Sequence, residues 1–387
     1  MRLKFKALYF MIFLSYGILG PFLALYLTQK GCTGTQMGAL LGMVPILTVL
    51  FQPVWSTLSD VFKKRRLLLI IACSGVSVSM VGLALSESFI EIFLLAFLFS
   101  IFNTPIMSIS TAVVLDYLED TGKPDEYGLI RVWGSIAYAI SSLLLASLFL
   151  DQILTLFPWM LAGIYLMLVL LSFTLPECEK SLTKTNLKEL KRLTRNPAFV
   201  VFLVGAIFVG ATINISTNYQ TLFLQFLETS DLLIGIAIAL PALLEIPLMP
   251  IVPLLLKRIP MRWLILSGAV FLPVRWFISF FIQQPGWMIP IQLLNSIGTI
   301  GFEVVGVSFI DKNTDPRWRA TGQGLYSTAL WGIGPGIGLY IAGNVLDRWN
   351  IRMIWGLNLI LGIIGLGLVF AALWWFKSSA QGPYEPS

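Results

Sequence analysis

Apolar residues run along this chain in long unbroken stretches, separated by short polar turns and by one longer polar stretch near the middle. Twelve such stretches centre roughly on residues 18, 46, 76, 103, 138, 166, 212, 243, 273, 299, 333 and 363. Each reaches about 20 residues, the length an α-helix needs to cross the hydrocarbon of a bilayer. They do not alternate apolar with polar positions, which excludes the strands of an outer-membrane barrel. The pattern therefore predicts an all-α membrane protein with 12 transmembrane helices. Six precede the polar stretch ECEKSLTKTNLKELKRLTRNP at 177–197 and six come after it. Residues 1–176 and 198–387 are expected as two six-helix halves. Within the linker, Leu187, Leu190 and Leu193 recur at helical spacing among lysines, between Pro176 and Pro197. That spacing predicts a short amphipathic helix on the membrane surface.

Composition agrees with this class. The chain of 387 residues is 57% apolar and 12% charged, with a mean hydropathy of +0.84. A soluble domain carries roughly 25% charged residues. The formal charge of +6 would raise the question of nucleic acid in a soluble protein. Here the cations are sorted by loop. Arg2, Lys4 and Lys6, then Lys63, Lys64, Arg65 and Arg66, then the linker lysines and arginines, then Lys257, Arg258, Arg262, Lys312, Arg317 and Arg319 all fall on one side. The alternate loops hold Lys30, Arg348 and Arg352. The positive-inside rule then puts both termini in the cytoplasm of a multi-pass protein of the cell (inner or plasma) membrane. The anionic partners are lipid headgroups, and nucleic acid is not expected. The N-terminal MRLKFK leads into the first helix without a small-residue cleavage site and is expected to be retained.

Chemistry is sparse. The three cysteines, Cys32, Cys73 and Cys178, are scattered without metal-ligand spacing, and there is no histidine. No metal, no cofactor and no nucleophile–base pair is expected, so the chain does not read as an enzyme. Carboxylates are left as the carriers of any proton.

Three ionisable residues interrupt long apolar runs: Glu245 in LLEIPLM, Arg275 in PVRWFIS and Glu303 in IGFEVVG. A charge at the centre of a spanning helix costs at least ~2.5–3.5 kcal/mol on insertion scales, and is rare for that reason. Two acids and one base on three successive helices read as a buried titratable network. The simplest use is transport coupled to a proton, with a small-molecule substrate.

Further polar residues are candidates for contact with that substrate. Arg131 lies one turn inside the fifth helix in YGLIRVWGSIAY, with Tyr138 two turns on and Asp116 ending the fourth helix. An Asp116–Arg131 pair beside the Tyr138 ring would supply donors, acceptors and an aromatic face. Asn214 and Asn218 are one turn apart and share a face of the seventh helix. Trp331 adds an aromatic on the eleventh. At 51–66, FQPVWSTLSDVFKKRR ends the second helix with Asp60 and a basic turn. Asp60, Arg65 and Arg66 are read there as a gate that pairs in one state and releases in another. Gly332, Gly334, Gly336 and Gly338 around Pro335 fit either close packing or a flexing helix. Pro241, Pro247, Pro250 and Pro253 predict kinks around Glu245.

Taken together, YFMIFLSYGILGPFLALYL (9–27), LFQPVWSTLSD, YG-x-x-R-x-x-GS and Phe302-Glu303-Val304 resemble the lactose permease and phenylpropionate permease branches of the major facilitator superfamily. The resemblance runs colinearly along nearly the whole chain. It implies a monomeric symporter working by alternating access, with Glu303 carrying the proton, Arg275 tuning its acidity and Glu245 linking proton and solute. It also implies that Arg131 and Tyr138 contact a sugar. The chain departs from the sugar branch where Ile300 replaces a histidine, and where TINISTNYQ and ALWGIG lack a helix 7–helix 11 charge pair. An oligosaccharide or glycoside is the first expected substrate class, and a small aromatic carboxylate the second. Export of drugs or lipids is the third possibility on this fold.

Overall fold

The computed structural model describes residues 1–62, 64–122, 126–177, 195–314 and 318–379. Most of the linker, with its expected amphipathic helix, lies outside the described residues. Twelve described helices are long and apolar enough to span a bilayer. They are α1 (Arg2–Gln29), α2 (Gly34–Ser59), α3 (Arg65–Leu85), α4 (Phe89–Asp120), α5 (Tyr127–Gln152) and α6 (Thr155–Ser172), then α7 (Pro197–Phe226), α8 (Asp231–Arg258), α9 (Met261–Phe281), α10 (Pro285–Asn313), α11 (Thr321–Arg348) and α12 (Ile351–Trp375). The all-α expectation holds, and each predicted stretch falls inside one helix. Lipid offers no partner to a bare peptide group, so each segment satisfies its backbone internally.

Local chemistry sets several ends. Gly31, just past α1, adopts φ +79°, a left-handed conformation open to glycine without strain. Ser88 and Glu91 open α4 as a reciprocal capping box, each side chain accepting from the other's backbone N–H. That arrangement satisfies two of the donors a helix start leaves unpaired.

Contacts divide the chain into two compact units, Met1–Leu182 with Thr217–Ile246, and Thr183–Ser216 with Pro247–Ser387. In the first unit α1 packs along α5, α3 along α4 and α6, and α2 along α4. Gly17 permits the α1–α5 approach, since a Cβ there would lie 2.7 Å from the Tyr138 carbonyl oxygen. Thr221 of α7 donates to the Pro21 carbonyl of α1 over 2.6 Å.

In the second unit α9 packs along α12 and α10. Its tightest approach is between α7 and α11. A Cβ on Gly210 would lie 2.0 Å from the Leu330 carbonyl oxygen, and one on Gly334 2.1 Å from that of Ile207. Gly338 would meet the Ala211 Cβ at 2.7 Å. The small residues of α11 therefore serve backbone-to-backbone packing, as is usual where apolar helices gain nothing from leaving lipid.

Several described segments inside these helices depart from α geometry, among them short 3₁₀ turns at Leu150–Gln152 in α5 and Pro285–Met288 in α10. α8 tightens to 3₁₀ over Met249–Ile251, at Pro250. π turns occupy Gly301–Gly306 in α10 and Ala329–Ile333 in α11. Such turns are rare and cluster at functional sites. Here they carry Glu303 and Trp331.

Adding a methyl group at Gly334 must separate α7 from α11. Gly334→Ala is expected to destabilise by about 1–3 kcal/mol, the usual range for overpacking. Gly324→Ala on the same helix meets nothing within 4 Å and should be neutral or slightly stabilising. Thermal unfolding of the two detergent-purified variants checks this, and equal midpoints would refute it.

Candidate functional site

In the first unit the candidate residues gather on α1, α5 and α8. Tyr9, Phe13 and Tyr16 recur at helical spacing on α1. The Arg131 guanidinium lies 3.9 Å above the centre of the Phe13 ring and 5.9 Å from that of Tyr9. Gly134 makes room for this, since a Cβ there would lie 2.7 Å from the Phe13 ring. Tyr16 meets Phe13 edge-on at 5.4 Å. The Tyr9 hydroxyl is hydrogen-bonded to Thr111 at 3.0 Å and to Tyr127 at 3.1 Å, which fixes its ring. A cation over an aromatic face is worth ~0.5–2 kcal/mol. The result is a shelf of three rings with a guanidinium laid on it.

Two turns along α5, Tyr138 packs against Ala139 and against Ala239 and Ala242 of α8. The half-buried carboxyl of Glu245 is close enough to act on the Tyr138 hydroxyl electrostatically. Tyr138 and Glu245 are thus within electrostatic reach of each other.

The expected Asp116–Arg131 pair does not form. Asp116 makes its ion pair with Arg65, the first residue of α3. Arg65 is 2% exposed and Asp116 15% exposed. The physical reason is that a buried guanidinium needs a charged acceptor more than one already lying on aromatic faces does. Asp116 therefore belongs with Arg65 rather than with Arg131. Arg66 pairs with Glu177 at 3.3 Å. The second helix runs on past Ser59 to Phe62; Asp60 lies in that last turn, and its side chain is outside the described residues. Asn103 accepts from the Tyr165 hydroxyl at 3.0 Å, an interhelical bond between α4 and α6. Asn218, on the part of α7 that belongs to this unit, is half-buried.

In the second unit the centre is Arg275 on α9, 1% exposed. Its Nη1 donates to Ser216 Oγ at 3.0 Å and to Asn295 Oδ1 at 2.6 Å. Its Nη2 donates to Gln292 Oε1 at 3.0 Å. The guanidinium also lies 4.4 Å from the Trp276 ring centre, and Trp276 stacks on Trp355 of α12 at 5.7 Å. Oxygens from α7 and α10 thus accept from a guanidinium sunk among apolar helices. Each hydrogen bond to a charged group contributes ~1.5–3 kcal/mol.

Two of those acceptors begin a stripe along α10: Gln292, Asn295 and Ser296, Thr299, Glu303. The steps of three and four residues put them on one face. Glu303 ends the stripe in the π turn, half-buried. Tyr326 of α11 donates to the Phe302 carbonyl at 2.8 Å and lies within electrostatic reach of Glu303. Gly306 admits that ring, since a Cβ would lie 2.1 Å from the Tyr326 hydroxyl. Asn214 is half-buried and donates back to the Gly210 carbonyl at 3.1 Å. Trp331 is 41% exposed. Arg275 and Glu303 share the second unit, whereas Glu245 falls in the first. Among the described residues no cluster of His, Cys, Asp and Glu could hold a metal.

Sequence reasoning missed the shelf on α1, the stripe on α10 and Tyr326. The stripe had a visible signal, polar residues at helical spacing leading to Glu303. The shelf had a weaker one, three aromatics at the same spacing in an aromatic-rich helix.

Both buried guanidinium groups can be tested by mutation. Asp116→Asn and Arg65→Gln should each lower the unfolding midpoint. The double variant should cost less than the sum by about 1–3 kcal/mol, since contacting residues couple; simple additivity would dismiss the pair. Asn295→Leu removes an acceptor from a buried charge and should destabilise by about 1.5–3 kcal/mol. Asn295→Asp, which keeps an acceptor there, should retain more stability in the same melt.

Comparison with known proteins gives a consistent picture. The family model described as MFS_1 like family matches residues 2–357. The chain is similar to the maltose permease of Geobacillus stearothermophilus, 26% identical over 377 residues, covering 94% of this chain and 92% of that protein. It is also similar to the xanthosine permease of Escherichia coli (strain K12), 23% identical over 383 residues, covering 91% and 88%. Among solved structures, that of the nucleoside transporter NupG superimposes with a TM-score of 0.85 at 19% identity, over 97% of this chain and 99% of that one. This last likeness speaks to the fold.

Proposed function

We propose that this chain, which belongs to the MFS_1 like family, imports a small glycoside, an oligosaccharide or a nucleoside, together with a proton. The chain is a multi-pass membrane transporter of the permease type and not an enzyme. The coupling and the substrate are the proposal.

The observation that carries it is Arg275, a guanidinium sunk among apolar helices and held by one end of an α10 stripe whose other end is Glu303. Ionisable residues inside a membrane mark ion pathways and proton relays. On this reading Glu303 takes the proton from one side and releases it to the other, and Arg275 is its electrostatic partner. Glu245 reports solute occupancy through Tyr138, which lies within its electrostatic reach. Arg131 with Phe13 and Tyr9, together with Asn214, Asn218 and Trp331, would contact the solute. A sugar ring has apolar C–H faces that suit an aromatic shelf, and a nucleoside adds a base that stacks. The substrates in the names of the two curated relatives are of these kinds.

The remaining assignments belong to the same reading. Residues 1–176 and 198–387 act as the two six-helix halves of an alternating-access monomer, with both termini cytoplasmic in the cell membrane. Asp60 and Arg66 join the Arg65–Asp116 pair as gating groups. The proton is the coupling ion, and no cofactor is called for.

A second reading is uptake of a small aromatic carboxylate. It draws on Arg131, which makes no ion pair among the described residues and lies on an aromatic shelf.

The test is alkalinisation outside proteoliposomes on addition of maltose, lactose, xanthosine or aromatic carboxylates. A sugar or nucleoside should drive proton entry into vesicles of the wild-type protein. Glu303→Gln should lose accumulation against a gradient and keep counterflow exchange. Undiminished accumulation by Glu303→Gln would sink the assignment. Proton entry driven only by the carboxylates would favour the second reading.

A further inference from the structure

Away from the candidate site, α9 and α12 enclose a cavity of about 90 Å³ lined by Arg262, Trp263, Leu266, Phe370, Leu373 and Trp374. Its volume is several times the ~10–15 Å³ that admits one water. Five of the six lining residues are apolar or aromatic, and the sixth is a guanidinium. The Nε of Arg262 is buried and has no hydrogen-bond partner among the described residues. Its guanidinium lies 5.8 Å from the Trp263 ring centre. On the opposite wall Phe370 and Trp374 stack at 6.0 Å. Trp263, Phe370 and Trp374 are each more than half exposed. Aromatics at helix ends in such numbers mark the headgroup level of a bilayer. Lys257 and Arg258, which end α8 just before this turn, are exposed and add positive charge.

A buried N–H donor in an apolar niche wants an anionic acceptor, because an unmade hydrogen bond there costs ~1–3 kcal/mol. Guanidinium groups match phosphate oxygens in geometry as well as charge. The neighbouring surface is lipid-facing and aromatic, which suits the glycerol and upper acyl carbons that a phosphodiester carries with it.

We propose that this cavity is a specific site for an anionic phospholipid, whose phosphate is received by Arg262 and whose upper chains lie on Leu266, Phe370 and Trp374. The occupant belongs to the leaflet at which α9 begins and α12 ends, the same face as the start of α1 by the count of spans. It bridges the first turns of α9, the helix that carries Arg275, to α12.

Native mass spectrometry of the detergent-purified full chain titrated with phosphatidylglycerol tests this. Wild type should retain phosphatidylglycerol over phosphatidylcholine. Arg262→Gln should lower that retention about fivefold, the equivalent of the ~1 kcal/mol that one basic residue contributes near an anionic surface. Arg262→Lys should recover part of it, and Trp374→Ala should reduce retention of both lipids. Equal retention by wild type and Arg262→Gln, or no preference over phosphatidylcholine, would overturn the proposal. A separate thermal-shift arm uses inorganic phosphate. Stabilisation of lipid-free protein by phosphate to the level reached with phosphatidylglycerol would also overturn it, making this a free-phosphate site. If Arg262→Gln does not fold, loss of the phosphatidylglycerol preference in Trp263→Ala decides the question in the same assay, and an unchanged preference there counts against the site.

Discussion

A bilayer cannot solvate a charge, and the fold of the second unit is arranged around that fact at Arg275. Removing a guanidinium from water costs several kcal/mol even after relaxation. The chain offsets this cost with oxygens from two other helices and with an indole face. Ser216 draws in α7, Gln292 and Asn295 draw in α10, and Trp276 against Trp355 draws in α12. Apolar helices in lipid have little preference for one rotation about their axes over another. A buried cation with few possible acceptors supplies that preference. The same logic operates more simply in the first unit, where Arg65 is buried and Asp116 meets it.

Close packing supplies the second constraint. The α7–α11 approach is so tight at Gly210 and Gly334 that any side chain would strike a carbonyl oxygen. Next to this contact α11 passes into a π turn at Ala329–Ile333, and α10 does the same at Gly301–Gly306. A π turn inserts a residue into the helical register and so rotates the next stretch of helix about its axis. In α10 that happens where the polar stripe reaches Glu303, and Tyr326 braces the turn through the Phe302 carbonyl. The carboxylate is thus set on a locally irregular segment, while the residues that hold Arg275 stand on regular helix.

Lipid makes some features of this chain legible in its sequence and hides others. Continuous apolar runs of spanning length have one solution, so the twelve helices and the all-α class could be read directly. Glu245, Arg275 and Glu303 stood out because charge is so costly in such runs. Pairing was not legible in the same way. Asp116 lies in the last turns of α4, and the sequence there offers Arg65, Arg66 and Arg131 as partners. Which one it meets depends on helix rotation and on what else each guanidinium touches. Arg131 had a competing partner in the Phe13 ring, invisible until α1 and α5 were in contact through Gly17 and Gly134. The glycines of α11 were ambiguous for a related reason. Packing and bending use the same residue, and only the presence of Ile207 and Ala211 opposite Gly334 and Gly338 decides for packing.

The two amide acceptors that α10 offers Arg275 have a consequence for any cycle in which Glu303 changes protonation. If the grip of α10 on α9 depended on that carboxylate alone, each protonation would release the helix and expose an uncompensated cation. Gln292 and Asn295 keep accepting from Arg275 whatever the charge on Glu303, because amide oxygens do not titrate. The chain also has Ile300 where the resembling sugar symporters have a histidine, so no second titrating group stands one turn before Glu303 on its own helix. In the apolar part of α10 a proton event is then confined to Glu303, at a π turn, beside a tyrosine bonded to the backbone. That arrangement separates the part of α10 that holds the bundle together from the part proposed to change charge. It is the separation a carrier needs if it is to alternate without unfolding.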